Sequence, residues 1–429
     1  MTSRDRSDRD RRRLNQISSL NRRNHRTTCG QIVWSPSSRR SRIVVALIEA
    51  MSIRTVERLA ENRADGISSR GGRGFCGWAE PHRPPELQTL GHALHADSVA
   101  MGGGVPLETR IALLRQHGSF SQAYSATFQP GLEHFGGERG FIAYKTVWGT
   151  AMVLADPVAA RETAGDLIAC FLRRFSDVAF WQVSSRVAEI LAPLGFFINE
   201  MGTETRLDLA SYDFGGQRKR NLRKAVVRAA KLGYVTRECP LAAVDLSEVK
   251  TVSAAWRRTR PLRRRETAFL CRPAVFGEEL DVRRFFAFNR DGRLVAFAFF
   301  DPVYENGHIV GYSISKTRGL PNADLVLHAV KRCAIETFQK EQKRWVFHGL
   351  SPFEGIKDKD FAAHKNRLVR SAFRSAYRNP LFNRYVYSLQ GIARNKRQLG
   401  GVTEQTYCAF NKLPSLLRVL KLVRACNIL

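Results

Sequence analysis

The sequence predicts an α/β fold built twice in succession, behind a segment that does not share it. Three observations point there. Apolar spacing alternates between strand and helix periods from Phe141 onward, the same order of elements recurs after Leu246, and composition changes near residue 100.

Phe141–Lys145 and Ala151–Ala155 are rich in β-formers and read as paired strands, the second broken by Asp156-Pro157. Ala159–Phe175 has helical spacing, with Leu167, Ile168, Phe171, Leu172 and Phe175 on one face. Val178–Val183 reads as a buried strand, Arg186–Leu194 as a short helix stopped by Gly195, and Thr205–Leu209 as a strand. Gln217–Leu232 is a basic helix closed by Gly233, and Tyr234–Glu238 is the strand after it. The second run opens with a helix at Leu246–Thr259. Phe285–Asn289 and Leu294–Phe300 form a hairpin across Asp291-Gly292, a pair suited to a tight turn. His308–Ser315 is a strand, Asn322–Gln339 a long helix, and Arg344–Leu350 the next strand. The expected division is a leader at 1–100, a first lobe at 101–240, a second lobe at 241–400 and an amphipathic helical tail at 401–429.

The leader holds 18 arginines, no lysine and 10 acidic residues, so it carries +8 of the chain's +30. Ser, Arg, Gly and Pro dominate it, and such a segment buries too little apolar surface to offset its ordering entropy. A basic arm for nucleic acid, a targeting leader, and a start placed upstream of the true one near Met101 are the three alternatives; the last is preferred. A short helix at Arg54–Arg63 is compatible with each.

The remaining +22 favours a polyanionic partner such as RNA or an anionic membrane surface. The eight cysteines make no C-x-x-C and the histidines lack ligand spacing, so neither a zinc site nor a disulfide framework is expected. The apolar runs Ile43–Leu47 and Leu294–Phe300 are far short of the ~20 residues a membrane span needs. A cytoplasmic protein, peripheral to the inner membrane at most, is expected.

The order of elements in each half resembles the N-acyltransferase fold of the acetyltransferase (GNAT) superfamily, present in tandem, each lobe a mixed, mostly antiparallel sheet flanked by helices. That superfamily binds coenzyme A pyrophosphate through a [QR]-x-x-G-x-[GA] loop at a helix N-terminus. The corresponding stretches here, Ser315–Ala323 and Ala155–Ala160, lack that pattern; only Gln88–Ala93 fits it, inside the leader.

More specific stretches resemble the catalytic C-terminal domain of the phosphatidylglycerol lysyltransferases, from about Phe141 to Gly400. They are Asp156-Pro157-Val158, Phe180–Ser184, Gly202–Leu209 with Glu204 and Asp208, Phe214–Gly233 with Asn221-Leu222-Arg223, Pro321-Asn322, and Gly349–Phe353. The resemblance implies transfer of an aminoacyl group from an aminoacyl-tRNA to a lipid of phosphatidylglycerol type or to a small amine or hydroxyl acceptor. It implies aminoacyl-tRNA as co-substrate, no other cofactor, no metal, no stable protein partner, and a member without the family's flippase domain. The family's lysyl-recognising D-x-x-R falls on Tyr312 and Ser315, so a neutral or small aminoacyl group fits better than lysyl. An acyl-CoA N-acyltransferase, or a nucleic-acid-binding protein on the same scaffold, remains the alternative.

His348 and Asp301 are the catalytic candidates, at strand ends of the second lobe. Tyr312, Ser315, Lys316, Arg318, Asn322, Asp324 and Ser351 are the substrate-binding candidates. His348 also reads as a satisfied core histidine, and Asp324 as a carboxylate complementing a helix dipole. Phosphate contacts to tRNA are expected from Arg218, Lys219, Arg220, Arg223, Lys224 and Arg228 on the basic helix and from Arg257, Arg258, Arg263 and Arg264 after the next one. Arg418, Lys421 and Arg424 give the tail a basic stripe suited to a membrane surface or to docking on the second lobe. Deleting residues 1–100 is expected to leave folding and activity unchanged, measured by thermal unfolding and a transfer assay; loss of either would give the leader a role.

Overall fold

The computed structural model describes residues 104–260, 265–357, 359–413 and 416–428. The expectations for the leader, including the helix at Arg54–Arg63, lie outside them.

Two helices come first, α1 (Leu107–His117) and α2 (Ala123–Phe128). Strands β1 (Glu133–Gly137), β2 (Gly140–Val147), β3 (Thr150–Leu154) and the two-residue β4 (Val158–Ala159) follow. Then come α3 (Arg161–Arg174), β5 (Val178–Val183), α4 (Ser185–Leu191) and β6 (Phe197–Asp208). The basic helix α5 (Arg220–Lys231) leads into β7 (Val235–Glu238) and α6 (Leu246–Arg258). The second half continues with β8 (Arg283–Phe288), β9 (Leu294–Glu305), β10 (His308–Gly319), α7 (Asp324–Lys340) and β11 (Trp345–Pro352). Three helices, α8 (Arg367–Arg378), α9 (Pro380–Tyr385) and α10 (Leu389–Leu399), precede β12 (Val402–Phe410) and α11 (Leu416–Ala425).

The strands form one sheet in the order β1-β2-β3-β5-β12-β6-β11-β10-β9-β8-β7, with β4 beside β2. Among the described strands only β3–β5 and β10–β11 run parallel, each joined by one crossover helix, α3 or α7. The closing strands are exchanged. β6 leaves the first half and pairs with β11, while β12 returns from the second half to pair with β5. The two exchanged strands also pair with each other, from Val402 opposite Arg206 to Phe410 opposite Phe197.

Apolar side chains fill both faces. Ile168, Phe171, Phe180 and Ile198 lie in one cluster under α3 and α4, and Phe285, Phe300, Val330 and Phe338 in another under α7. Burying one such phenylalanine contributes about 1.5–3 kcal/mol. All six residues of β5 are buried, as the run Val178–Val183, apolar but for Gln182, predicts for a strand covered on both faces.

The tail departs from expectation. Residues 402–410 are a strand, not helix, because Gly400-Gly401 breaks α10 and Gly401 at φ +104° brings the chain against β6. A Cβ there would lie 2.5 Å from the Arg206 carbonyl oxygen. Helix α11 then docks where the two halves meet, its cations on the first half and Leu422 and Cys426 in a cluster with Val369 and Phe373 of the second. Arg418 donates to Asp177 at 2.6 Å and Lys421 to Thr150 at 2.5 Å. Two of the three cations in the expected membrane stripe are thereby turned inward.

A chain ended at Gly400 would lose β12 and expose the edges of β5 and β6. It is expected to lose cooperative unfolding and to aggregate, as followed by circular dichroism and light scattering; a stable, cooperative product would show that the exchange is dispensable.

Candidate active site

The parallel pair β10–β11 keeps register only from Gly311–Ser313 against Trp345–Phe347. Beyond those pairs the strands part, and a cavity of about 510 Å³ opens against them. Bulges fall at its wall. Ser315 is the extra residue of β10, between Ile314 opposite Phe300 and Lys316 opposite Phe299. His348 is the extra residue of β11. Gln182 bulges from β5 at the corresponding place in the first half, with φ +58°. A bulge re-aims a side chain and takes one residue out of the ladder, so Ser315 keeps no register partner on β9 or β11.

The cavity has two characters. Ser121, Gln122, Cys271, Ser313 and Ser315 line a polar end together with Arg272 and Asp301. Phe373, Val386, Leu389 and Leu422, from α8, the end of α9, α10 and α11, line an apolar end. The Gln122 amide donates to Gln182 at 3.1 Å and to the Leu270 carbonyl at 3.2 Å, fixing the polar wall.

Lys396 on α10 also lines the cavity, and its ammonium donates to the Leu350 carbonyl at 2.5 Å. Burial lowers it to about 7, with Glu204 opposing the shift and Lys331 adding to it. Lys331 on α7, held by Asn395 at 3.0 Å, is lowered by burial to about 8. Burial and these two lysines hold His348 well below the ordinary imidazole value, so the ring is neutral. Its Nε2 is buried without a hydrogen-bond partner among the described residues. Burial raises the Glu204 carboxyl, which accepts from Ser121 at 2.5 Å.

The sequence-derived candidates are distributed unevenly. Asp301, His348 and Ser315 line the cavity. Both Asp301 oxygens are committed to Arg272, at 2.6 and 3.2 Å, so it anchors a guanidinium rather than standing free for proton transfer. Ser315 donates to the Phe299 carbonyl at 3.1 Å. Lys316 reaches Cys271, and Arg318 is bound to Glu266 and Ser253. Ser351 is fully buried, its hydroxyl unpartnered among the described residues.

Tyr312 does not shape the cavity. Strand alternation turns it into the second-half core, where it stacks on Phe338 at 4.3 Å. Asn322 and Asp324 are exposed at the start of α7, outside the cavity lining. Arg218, in the turn before the basic helix, and Arg220, Lys224 and Arg228 on it are exposed. Arg223 instead donates to the carbonyls of Phe214 and Gly216, and Lys219 pairs with Asp213 at 3.5 Å. Arg258 is exposed and Arg257 lies 3.8 Å from Glu266; Arg263 and Arg264 are outside the described residues.

The residues missed in the sequence are Lys396, Lys331, Cys271, Arg272 and Gln122. The two lysines left a signal. Lys396 continues the apolar stripe Ile392–Lys396–Leu399, and Lys331 the stripe Leu327–Lys331–Ala334, so each puts a charge where helix periodicity asks for an apolar residue.

A parallel strand pair splayed over a cavity, with bulged residues and a desolvated amine in its wall, is the candidate site of this α/β sheet. The chain belongs to the family described as phosphatidylglycerol lysyltransferase, C-terminal, whose model matches residues 111–410. Among curated relatives, the phosphatidylglycerol lysyltransferase of Staphylococcus xylosus is 21% identical over 298 residues, 67% of this chain and 34% of that protein. That of Staphylococcus aureus (strain COL) is 24% identical over 301 residues, 66% of this chain and 34% of that protein. The chain therefore spans about a third of the length of the curated relatives it matches. Among solved structures, the L-PGS of Bacillus licheniformis superposes with a TM-score of 0.60 at 19% identity, covering 76% of this chain and 99% of that one. The C-terminal domain assigned to a lysylphosphatidylglycerol synthetase of Agrobacterium fabrum gives 0.61 at 18%, covering 75% and 96%.

Lys396 titrates near 7 in the fold against an ordinary 10.5. Between those values the unfolded chain holds the more protons, so this group makes stability rise with pH. Relative to Lys396→Met, the wild-type chain is expected to gain up to about 1.4 kcal/mol per pH unit across that window. Denaturant unfolding of both proteins at pH 7, 8 and 9 measures it; parallel curves would mean the amine is not desolvated.

Proposed function

We propose that this chain moves an aminoacyl group from an aminoacyl-tRNA to a hydroxyl or amine acceptor, with a phosphatidylglycerol-like lipid as the first candidate. The observation that carries this is the two-ended cavity: polar groups and a bulged strand at one end, an apolar sleeve of helices at the other. Family membership supports the same class of reaction, and the curated relatives are named for lysyl transfer to phosphatidylglycerol.

An aminoacyl ester is already activated, so the protein must position it, stabilise the oxyanion and take one proton. Ser315, which the bulge takes out of strand register, lines the polar end, where the acyl oxygen would be held. Lys396, with much of its population neutral at pH 7, is suited to receive the acceptor's proton. The apolar end, lined by Phe373, Val386 and Leu422, suits an acyl chain. The exposed Arg218, Arg220, Lys224 and Arg228 suit tRNA phosphates. They adjoin the site, since Tyr212, just before α5, donates to the Leu399 carbonyl at the end of α10. A neutral aminoacyl group fits better than lysyl: Asp301 is neutralised by Arg272, and Lys396 and Lys331 oppose a further cation. A cytoplasmic protein bound peripherally to the inner membrane suits this donor and acceptor, and no described helix is long and apolar enough to cross a membrane.

Protein incubated with labelled aminoacyl-tRNA pools and either anionic lipid vesicles or a small-amine extract should transfer label, and prior RNase treatment should abolish it. Transfer that survives RNase and requires acyl-CoA would replace this function with an N-acyltransferase. Binding of tRNA without any transfer would leave a nucleic-acid-binding protein.

A further inference from the structure

We propose that α8 and α9 form a docking face for an anionic bilayer, seated over the apolar end of the cavity so that an acyl chain passes from membrane to cavity without crossing water. This rests on the function proposed above and names the surface through which a lipid acceptor arrives.

From Phe361 to Thr403 the chain holds nine lysines and arginines and no Asp or Glu. Two are committed within the fold: Lys396 bonds the Leu350 carbonyl, and Arg397 pairs with Glu354 at 2.9 Å. On α8, Val369, Phe373 and Ala376 are buried. Arg367, Arg374 and Arg378, spaced seven and four apart, share the opposite stripe. Arg367 and Arg378 are exposed, as is Arg384 on α9, and none of these three pairs with a carboxylate among the described residues.

A solvated charged face would account for the arginines alone, but not for α9. That helix buries none of its six residues. Leu381 is 52% and Tyr385 54% exposed, four apart on one face. Polar bonds rather than apolar packing hold the helix in place. The Asn383 amide donates to the carbonyls of Tyr377 and Asn379, each at 2.9 Å, and its oxygen accepts from the Gln390 backbone at 2.9 Å. The apolar side chains are thus fixed outward, and the Arg384 guanidinium lies over the Tyr385 ring at 5.3 Å. Leucine, tyrosine and arginine together suit a bilayer interface: leucine among acyl chains, the tyrosine at headgroup level, the guanidiniums on lipid phosphates.

Position favours a bilayer over RNA. Leu368 on α8 lines the cavity and is 42% exposed, so the cavity wall reaches the surface there. Phe382 and Val386 line it from α9 and its end, beside the outward Leu381 and Tyr385. The same two helices therefore present apolar side chains to the cavity and apolar and basic ones to the outside. Drawing an acyl chain through water costs free energy for every methylene, so a lipid reaches such a cavity from a membrane held against its rim. An RNA backbone would meet the arginines and gain nothing from Leu381.

The test is co-sedimentation of the full chain with vesicles of mixed phosphatidylglycerol and phosphatidylcholine, and of phosphatidylcholine alone. Binding should favour the mixed vesicles and weaken with salt. Combining Arg367→Gln, Arg378→Gln and Arg384→Gln should weaken it roughly 100-fold. Leu381→Ser with Tyr385→Ser should weaken it roughly tenfold. Residues 1–100 are common to wild type and variants, so these ratios report α8 and α9. Independently, Leu381→Trp should gain a fluorescence that vesicles with brominated acyl chains quench. Quenching of Val227→Trp on α5 in its place would move the membrane to the basic helix and overturn the assignment. Unchanged vesicle binding in both combined variants would overturn it too; if the arginine variant loses tRNA binding instead, the face belongs to RNA. Vesicle binding needs no aminoacyl-tRNA. A chain that docks in this way and transfers nothing therefore removes the proposed function alone, and transfer to a small amine without vesicle binding removes the docking face alone.

Discussion

The ladder between β6 and β12 is the constraint on which the rest of the molecule depends. Each strand is covalently part of one half and hydrogen-bonded into the other, so the halves cannot separate without breaking the centre of the sheet. The ladder also builds the site. Antiparallel pairing sets the end of β6 beside the start of β12, Arg206 opposite Val402. The segment leaving β6 and the helix entering β12 must therefore be neighbours, and they meet where Tyr212 bonds Leu399. In this way a basic helix and the helix carrying Lys396 come together although one ends at Lys231 and the other begins at Leu389 in the chain.

Much of the fold was legible because it is written in local pattern. The apolar run Val178–Val183 became β5, the Asp291-Gly292 turn joined β8 to β9, and Asn322–Gln339 anticipated α7. What local pattern could not carry was pairing at a distance. Nothing near Val402–Phe410 says that it belongs between β5 and β6; its first four residues are polar or exposed, and only Tyr407–Phe410 is a fully buried apolar run. The same limit governed the site. Ser315 and His348 stand out at strand ends, but Tyr312 enters the pocket only through the family's D-x-x-R spacing, and a one-residue bulge decides which face such a spacing reaches. Cys271 and Arg272 sit in a stretch without periodicity, so only the packed chain brings them to β10.

The electrostatics of the cavity follow from its imbalance of charge. Lys396, Lys331 and His348 share a buried region in which Glu204 only partly compensates Lys396 and Asp324 only partly Lys331, and the Glu204 carboxyl is itself raised by burial. Apolar surroundings strengthen the mutual repulsion of the cations and leave them little hydration, so the neutral forms win. A structural ion pair behaves differently, as Arg272 shows. Two carboxylates, Asp301 and Glu279, raise the guanidinium although it is as deeply buried. Fixed, compensated charge therefore stands on one wall and a titratable amine, Lys396, on another. An acyl chain filling the apolar end would strip remaining water from the Lys396 amine and favour its neutral form further, so the protonation of this amine would follow what fills the cavity.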